Sequence, residues 1–135
     1  MRGQVARVAR QDLARGLYEL FNARELDALM ELLAPDIEWD WSRSLGPDNG
    51  IHHGTRAVRR FLRTGWEHWD TIEMVPEEVV EAGDEVVVSV HVRLRGRDGI
   101  EVEARGPHVQ TWSGAKLTRY RLFQDEEDAR AAIGL

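Results

Sequence analysis

The sequence predicts an α+β domain in which helices come first and antiparallel strands follow, and three observations carry that prediction. Apolar residues recur at helical spacing in three segments before residue 70. After it they alternate along strands divided by turn dipeptides, and a short run with a capping aspartate closes the chain. At 135 residues, with no internal repeat, linker or low-complexity tract, the chain is expected to form a single domain, residues 1–135, around one hydrophobic core.

The first helix is read from Val5, Val8, Ala9, Leu13, Leu17, Leu20 and Phe21, one stripe set against charged residues such as Arg7, Arg10, Asp12 and Glu19. Leu26, Leu29, Met30 and Leu33 give a shorter helix that must end near Pro35, because proline disfavours helix in the residue before it. Ile37, Trp39 and Trp41 alternate with Glu38 and Asp40 as a short half-buried strand. From Ser42 to Gly54 the residues Gly46, Pro47, Asn49 and Gly50 read as a loop. A third helix then starts at Thr55 as N-cap and carries Ala57, Val58, Phe61, Leu62, Gly65, Trp66 and Trp69, with Trp69 expected in the core. Strands follow over 71–82, 85–95, 100–112 and 116–123, with turns at Gly83-Asp84, Asp98-Gly99 and Ser113-Gly114. A short C-terminal helix has Asp125 as N-cap, acids Glu126, Glu127 and Asp128 at the positive end of its dipole, and Gly134 past its end.

Composition removes several classes of function. With 24 acidic and 18 basic residues the formal charge is −6, which disfavours nucleic acid and anionic membrane surfaces as partners. Arg56, Arg59, Arg60 and Arg63 do gather, but at the spacing of the wet face of a helix. The absence of cysteine excludes disulfides, thiolate nucleophiles and thiolate zinc sites. The N-terminal residues lack a signal peptide's apolar segment and no apolar run reaches the roughly 20 residues of a membrane span, so a cytoplasmic protein is expected. His52, His53 and His68 lie near Asp48 and Asp70, but adjacent histidines point apart on extended chain and none has the helical two-histidine spacing. No metal is expected, and without a glycine-rich phosphate loop no cofactor is either.

The order of elements resembles the cone of the nuclear transport factor 2-like superfamily. His53-Gly54-Thr55-Arg56-Ala57-Val58-Arg59-Arg60-Phe61 is similar to that family's entry to its third helix. The runs Gly99 to Arg105, His108 to Trp112 and Ala129 to Leu135 resemble its SnoaL-like branch. The resemblance covers essentially the whole chain. It implies a cone-shaped α+β barrel, three N-terminal helices packed on a curved, mainly antiparallel sheet with a short C-terminal helix, and a pocket between sheet and helices. Because that fold hosts isomerases, cyclases, dehydratases, hydrolases and pure binders, it does not carry a reaction with it. Ketosteroid isomerase, on this fold, works with an Asp base and an oxyanion hole of Tyr and protonated Asp. By resemblance those positions fall near Trp41, near Leu17 and at His108, so two of the three roles are missing, with Asp40 and Tyr18 each one residue away.

His108 is the best candidate for proton transfer, since histidine titrates near neutral pH. A two-residue turn at Asp98-Gly99 pairs Arg97 with Ile100 and Ser89 with His108, which places His91 opposite Gly106 on the face of His108 and Gln110. Simple patterning would instead bury Val86, Val88, Val90, Val92 and Leu94 and leave His91 outside. The histidine side is preferred here because Ala104, Gly106 and Trp112 share it, and the valine face is then free for a second subunit, giving a homodimer through the sheet.

The expected pocket is lined by Leu17, Trp39, Trp41, Leu62, Trp66, His91, His108, Gln110 and Tyr120, aromatic walls that suit a flat apolar ligand. The expected function is handling of a small, mostly apolar, oxygenated molecule. His108 would serve as acid or base and His91 as its assistant, in cyclase, isomerase or dehydratase chemistry. The alternative is a binding protein of the same shape that catalyses nothing.

Overall fold

A computed structural model of the protein describes residues 2–45 and 49–135, with side chains of the first helix described from residue 10 onward. Of the positions read above, Gly46, Pro47 and Asp48, and the side chains of Val5, Val8 and Ala9, lie outside the described residues. Helix α1 (Arg2–Asn22) buries Ala14, Leu17, Tyr18 and Phe21, at i, i+3, i+4 and i+7, against the sheet. Helix α2 (Leu26–Glu31) stops before Pro35, and Leu33, expected in that helix, already pairs with Leu117 as the first residue of β1 (Leu33–Asp40).

The expected loop contains an unforeseen strand, β2 (Ile51–His53), which adds to β1 with Asp40 opposite Ile51 and Glu38 opposite His53. Three residues between Gly50 and Gly54 are too few to show a period. Helix α3 (Thr55–His68) starts where expected, but its N-cap is Gly54 at φ +85°, not Thr55. The turn from β2 needs left-handed backbone there, which a glycine supplies without strain. Mid-helix Gly65 costs α3 about 1 kcal/mol relative to alanine.

Four long strands complete the sheet: β3 (Trp69–Ala82), β4 (Glu85–Gly96), β5 (Glu101–Ser113) and β6 (Lys116–Leu122). The order β2-β1-β6-β5-β4-β3 is antiparallel except between β1 and β6. The sheet curves around the helices without closing, which is the predicted cone. Helix α4 (Glu126–Ala132) lies on the convex side, where Ala129 and Ile133 cover Val87, Val109 and Phe123. Its cap is as predicted: Asp125 accepts from the Asp128 amide at 2.8 Å. No helix among the described residues is long and apolar enough to cross a membrane.

The β4–β5 turn departs from expectation, with large consequences. It has three residues, Arg97-Asp98-Gly99, closed by the Gly96 amide donating to the Ile100 carbonyl at 2.8 Å, with Gly99 left-handed at φ +86°. Asp98 Oδ1 accepts from the Ile100 amide at 3.2 Å. The added residue moves the register by one, so Val88, not Ser89, faces His108, and His91 faces Arg105 rather than Gly106. A one-residue shift exchanges faces. Val86, Val88 and Val90 therefore enter the core beside His108 and Gln110, while His91 points to the convex side. The preferred face for β4 is corrected, and the dimer loses the free valine surface on which it was argued.

Gly99→Ala is expected to cost about 1 kcal/mol through left-handed strain, and Asp125→Ala about the same through loss of the cap, both read by urea denaturation.

Candidate functional site

Between the helices and the concave sheet lies a cavity of about 510 Å³. Its wall is formed by Phe21 of α1, Phe61, Leu62 and Gly65 of α3, Trp39 of β1 with Trp41 just beyond it, and small or aliphatic residues of β3 to β5. Among the latter are Ile72, Met74, Val92, Leu94, Val102, Ala104 and Gly106. The mouth carries Ser44, Leu45 and Gln124, and Leu45 is 89% exposed. No carboxylate appears among the described lining residues, and His108 is the one imidazole.

Alternation along β5 turns His108, Gln110 and the core valines of β4 to the same side, and Tyr120 pairs with Gln110 from β6. The Tyr120 hydroxyl hydrogen-bonds His108 Nδ1 and lies 3.1 Å from the Tyr18 hydroxyl. Trp39 stacks flat on the Tyr120 ring at 4.2 Å, and Trp41 meets the His108 ring edge-on at 5.4 Å. Gln110 fixes the layer behind, accepting from the Trp112 indole at 2.9 Å and donating to the Ala14 carbonyl at 3.4 Å. Helix α1, β5 and β6 thus converge on one buried polar chain, Tyr18–Tyr120–His108.

Burial decides the charge of every member. With 2% of its surface exposed, His108 is pushed from its usual 6.5 down to about 3 by desolvation, so it is a neutral imidazole at physiological pH. Burial raises Tyr18 to about 12, against the opposing hydrogen bonds of Tyr120 and Gln110. Tyr120 is pushed well above 10 by burial first and then by Tyr18. All three are neutral donors and acceptors, and in the tautomer in which the Tyr120 hydroxyl donates to Nδ1 the imidazole carries its proton on Nε2.

Trp39, Trp41, Leu62 and His108 of the expected pocket residues line the cavity. Tyr120, Gln110 and Leu17 sit behind the wall in the core, one layer deeper than expected, because they pack or hydrogen-bond to α1 and to one another. Trp66 turns from the cavity to Phe21, 5.3 Å between rings, and to the Arg24 guanidinium. Trp69, expected in the core, lines the cavity instead because the helix ends one residue before it and the chain becomes strand.

The register separates His91 from His108 altogether. His91 Nε2 is 3.7 Å from Glu103 on the convex face, so the two histidines do not form a pair. Asp40 also faces away, accepting from the Ser42 amide at 3.0 Å and pairing with Arg43 at 3.2 Å. Although burial works to raise its pKa, the Ser42 hydrogen bonds and Arg43 hold it below the usual carboxylate value. His52 packs on Phe61 at 4.3 Å, and no three metal-ligating side chains converge among the described residues.

Tyr18 is the member of the polar chain that the sequence offered only as one residue from the isomerase's tyrosine position and that was not expected in the site. Its signal was present: a tyrosine at a core position of an amphipathic helix needs a buried partner for its hydroxyl.

The sequence profile of the SnoaL-like domain family matches residues 14–120. A structure of similar fold is an NTF2-like protein of unknown function from Burkholderia pseudomallei, 24% identical, with a TM-score of 0.77 over 94% of this chain and 98% of that one. TerC, co-crystallised with polyporic acid, is 22% identical with a TM-score of 0.77, over 94% and 99% of the two chains. A Mycobacterium tuberculosis protein in complex with estradiol-17β-hemisuccinate is 20% identical with a TM-score of 0.73, over 90% and 95%. None of the curated proteins compared matches the chain.

The depressed pKa of His108 ties stability to acid. The unfolded chain binds this proton near pH 6.5 and the folded protein only near pH 3, so stability is full above 6.5 and falls as pH drops toward 3. The stability difference between wild type and His108→Gln is expected to shrink by about 2–3 kcal/mol between pH 7 and pH 4.5, measured by urea denaturation at each pH. Tyr120→Phe keeps the ring but strands His108 and Tyr18, and should cost about 1–3 kcal/mol in the same assay.

Proposed function

The chain belongs to the SnoaL-like family, and from that premise we propose that it binds a flat, mostly apolar small molecule whose one buried oxygen meets His108. The observation that carries this reading is a cavity of about 510 Å³ with aromatic walls and a single buried imidazole of fixed protonation. Its volume is within the range of small-molecule sites, and apolar walls with few polar groups fix orientation rather than supply most of the affinity. The near-parallel Trp39 and Trp41 rings in the wall favour a planar ligand edge or face. That solved proteins of the same fold were crystallised with polyporic acid and with a steroid ester supports a ligand of this general kind.

With Nδ1 bonded to Tyr120, the tautomer in which Tyr120 donates presents Nε2–H to a ligand carbonyl, phenol or enol oxygen. A neutral histidine with a strongly lowered pKa polarises a carbonyl as a hydrogen-bond donor and is a weak base. In this reading His108 is a hydrogen-bond donor, in place of the acid or base expected from its residue type, and His91 has no part. The hydroxyl chain behind His108 favours a second, catalytic reading, since the same donor would stabilise an enolate oxygen in isomerase or cyclase chemistry. With no carboxylate among the described lining residues to remove a carbon-bound proton, binding with polarisation is the reading the geometry supports best.

Quenching of tryptophan fluorescence by 2-naphthol and by naphthalene tests it. His108→Phe is expected to weaken 2-naphthol about tenfold or more, the worth of one buried hydrogen bond, and to change naphthalene less than about twofold. Equal effects on both, or a comparable loss in His91→Ala, would count against the assignment of Nε2.

A further inference from the structure

Two glycines line the cavity, and they are there for different reasons. Gly106 on β5 is dictated by the backbone: a Cβ at that position would lie 2.9 Å from the Phe123 carbonyl oxygen, too close for any side chain. Gly65 has no such excuse. It sits inside α3, where glycine is the poorest helix former apart from proline, its φ is not left-handed, and a Cβ built on it meets only the Ile72 Cδ1 at 3.7 Å, an ordinary contact. Nothing in the packing of the empty protein requires glycine at this position.

What the missing side chain does supply is space. Gly65 follows Val58, Phe61 and Leu62 on the inward face of α3, and both it and the Ile72 it approaches are part of the cavity wall. Any side chain on Gly65 would project into the cavity beside Ile72. We infer that Gly65 is the specificity-determining residue of this cavity, setting the width of ring system it admits beside Ile72. The inference rests on the binding reading above and deepens it by naming the position that limits the breadth of the ligand. Helix stability is given up where it would narrow the slot, a trade of stability for function.

Gly16 provides the control. It too is a glycine inside a helix, in α1, where an added Cβ meets nothing within 4 Å and no cavity is lined. Gly65→Ala and Gly16→Ala should each raise the melting temperature by a few degrees. Only Gly65→Ala should discriminate by size, weakening estradiol about tenfold or more while leaving 2-naphthol within twofold. Gly65→Leu should abolish estradiol binding. The inference is overturned if Gly65→Ala binds estradiol as wild type does, or if it lowers the melting temperature, which would mean that packing needs the glycine after all. Those results leave the binding reading intact, whereas a wild-type protein that binds neither probe overturns both.

Discussion

The three-residue turn Arg97-Asp98-Gly99 is the constraint on which the site depends. In a sheet whose side chains alternate, loop length sets parity, and parity decides which face of each strand is buried. With three residues in the turn, His108 and Gln110 share the concave side with Val86, Val88 and Val90, and the helices cover all of them. With two, the valines and His108 would face opposite ways, and one of them would have to be exposed. The Gly96–Ile100 hydrogen bond and the left-handed Gly99 hold the longer turn.

Once His108 is placed inward, burial governs its chemistry. Among the described residues no carboxylate lines the cavity to partner an imidazolium at this depth, so the ring stays neutral, hydrogen-bonded to the Tyr120 hydroxyl, itself supported by Tyr18. The chain draws one residue from α1, one from β5 and one from β6, so the polar interior also ties helix to sheet. Its members are hydrogen-bonded to one another while the cavity in front is almost wholly apolar. A ligand entering that cavity meets the His108 imidazole in a largely apolar wall, where Ser44, Arg105 and Gln124 are the other polar side chains among the described lining residues.

The sequence displayed the architecture well because amphipathic spacing and turn dipeptides are local signals. Helix α1, the valine strand and the Asp125 cap follow from periods and caps that any neighbourhood would respect. The site was less legible because its facing depends on a loop's length and on contacts between distant segments. Asp98-Gly99 has the composition of a two-residue turn, yet Asp98 caps the Ile100 amide and Gly99 closes a longer loop. The valine pattern held the information that settles His91, and Ala104, Gly106 and Trp112 on the expected histidine face outweighed it. Tyr18 and Tyr120 meet across 102 residues, a pairing that no local pattern encodes. Trp66 and Trp69 stand three apart on one expected helical stripe, but the helix ends between them and they part company.

The central claim is that His108 is a buried neutral imidazole bonded through Nδ1 to Tyr120, while His91 stands on the other face of the sheet. Nitrogen-15 NMR of the histidine side chains tests it most directly, because the ring shifts report both protonation and tautomer. The His108 signals should hold the shifts of the neutral Nε2–H tautomer, unchanged from pH 8 to pH 5. A His108 that titrates near pH 6.5, or whose neutral form carries its proton on Nδ1, would contradict the account.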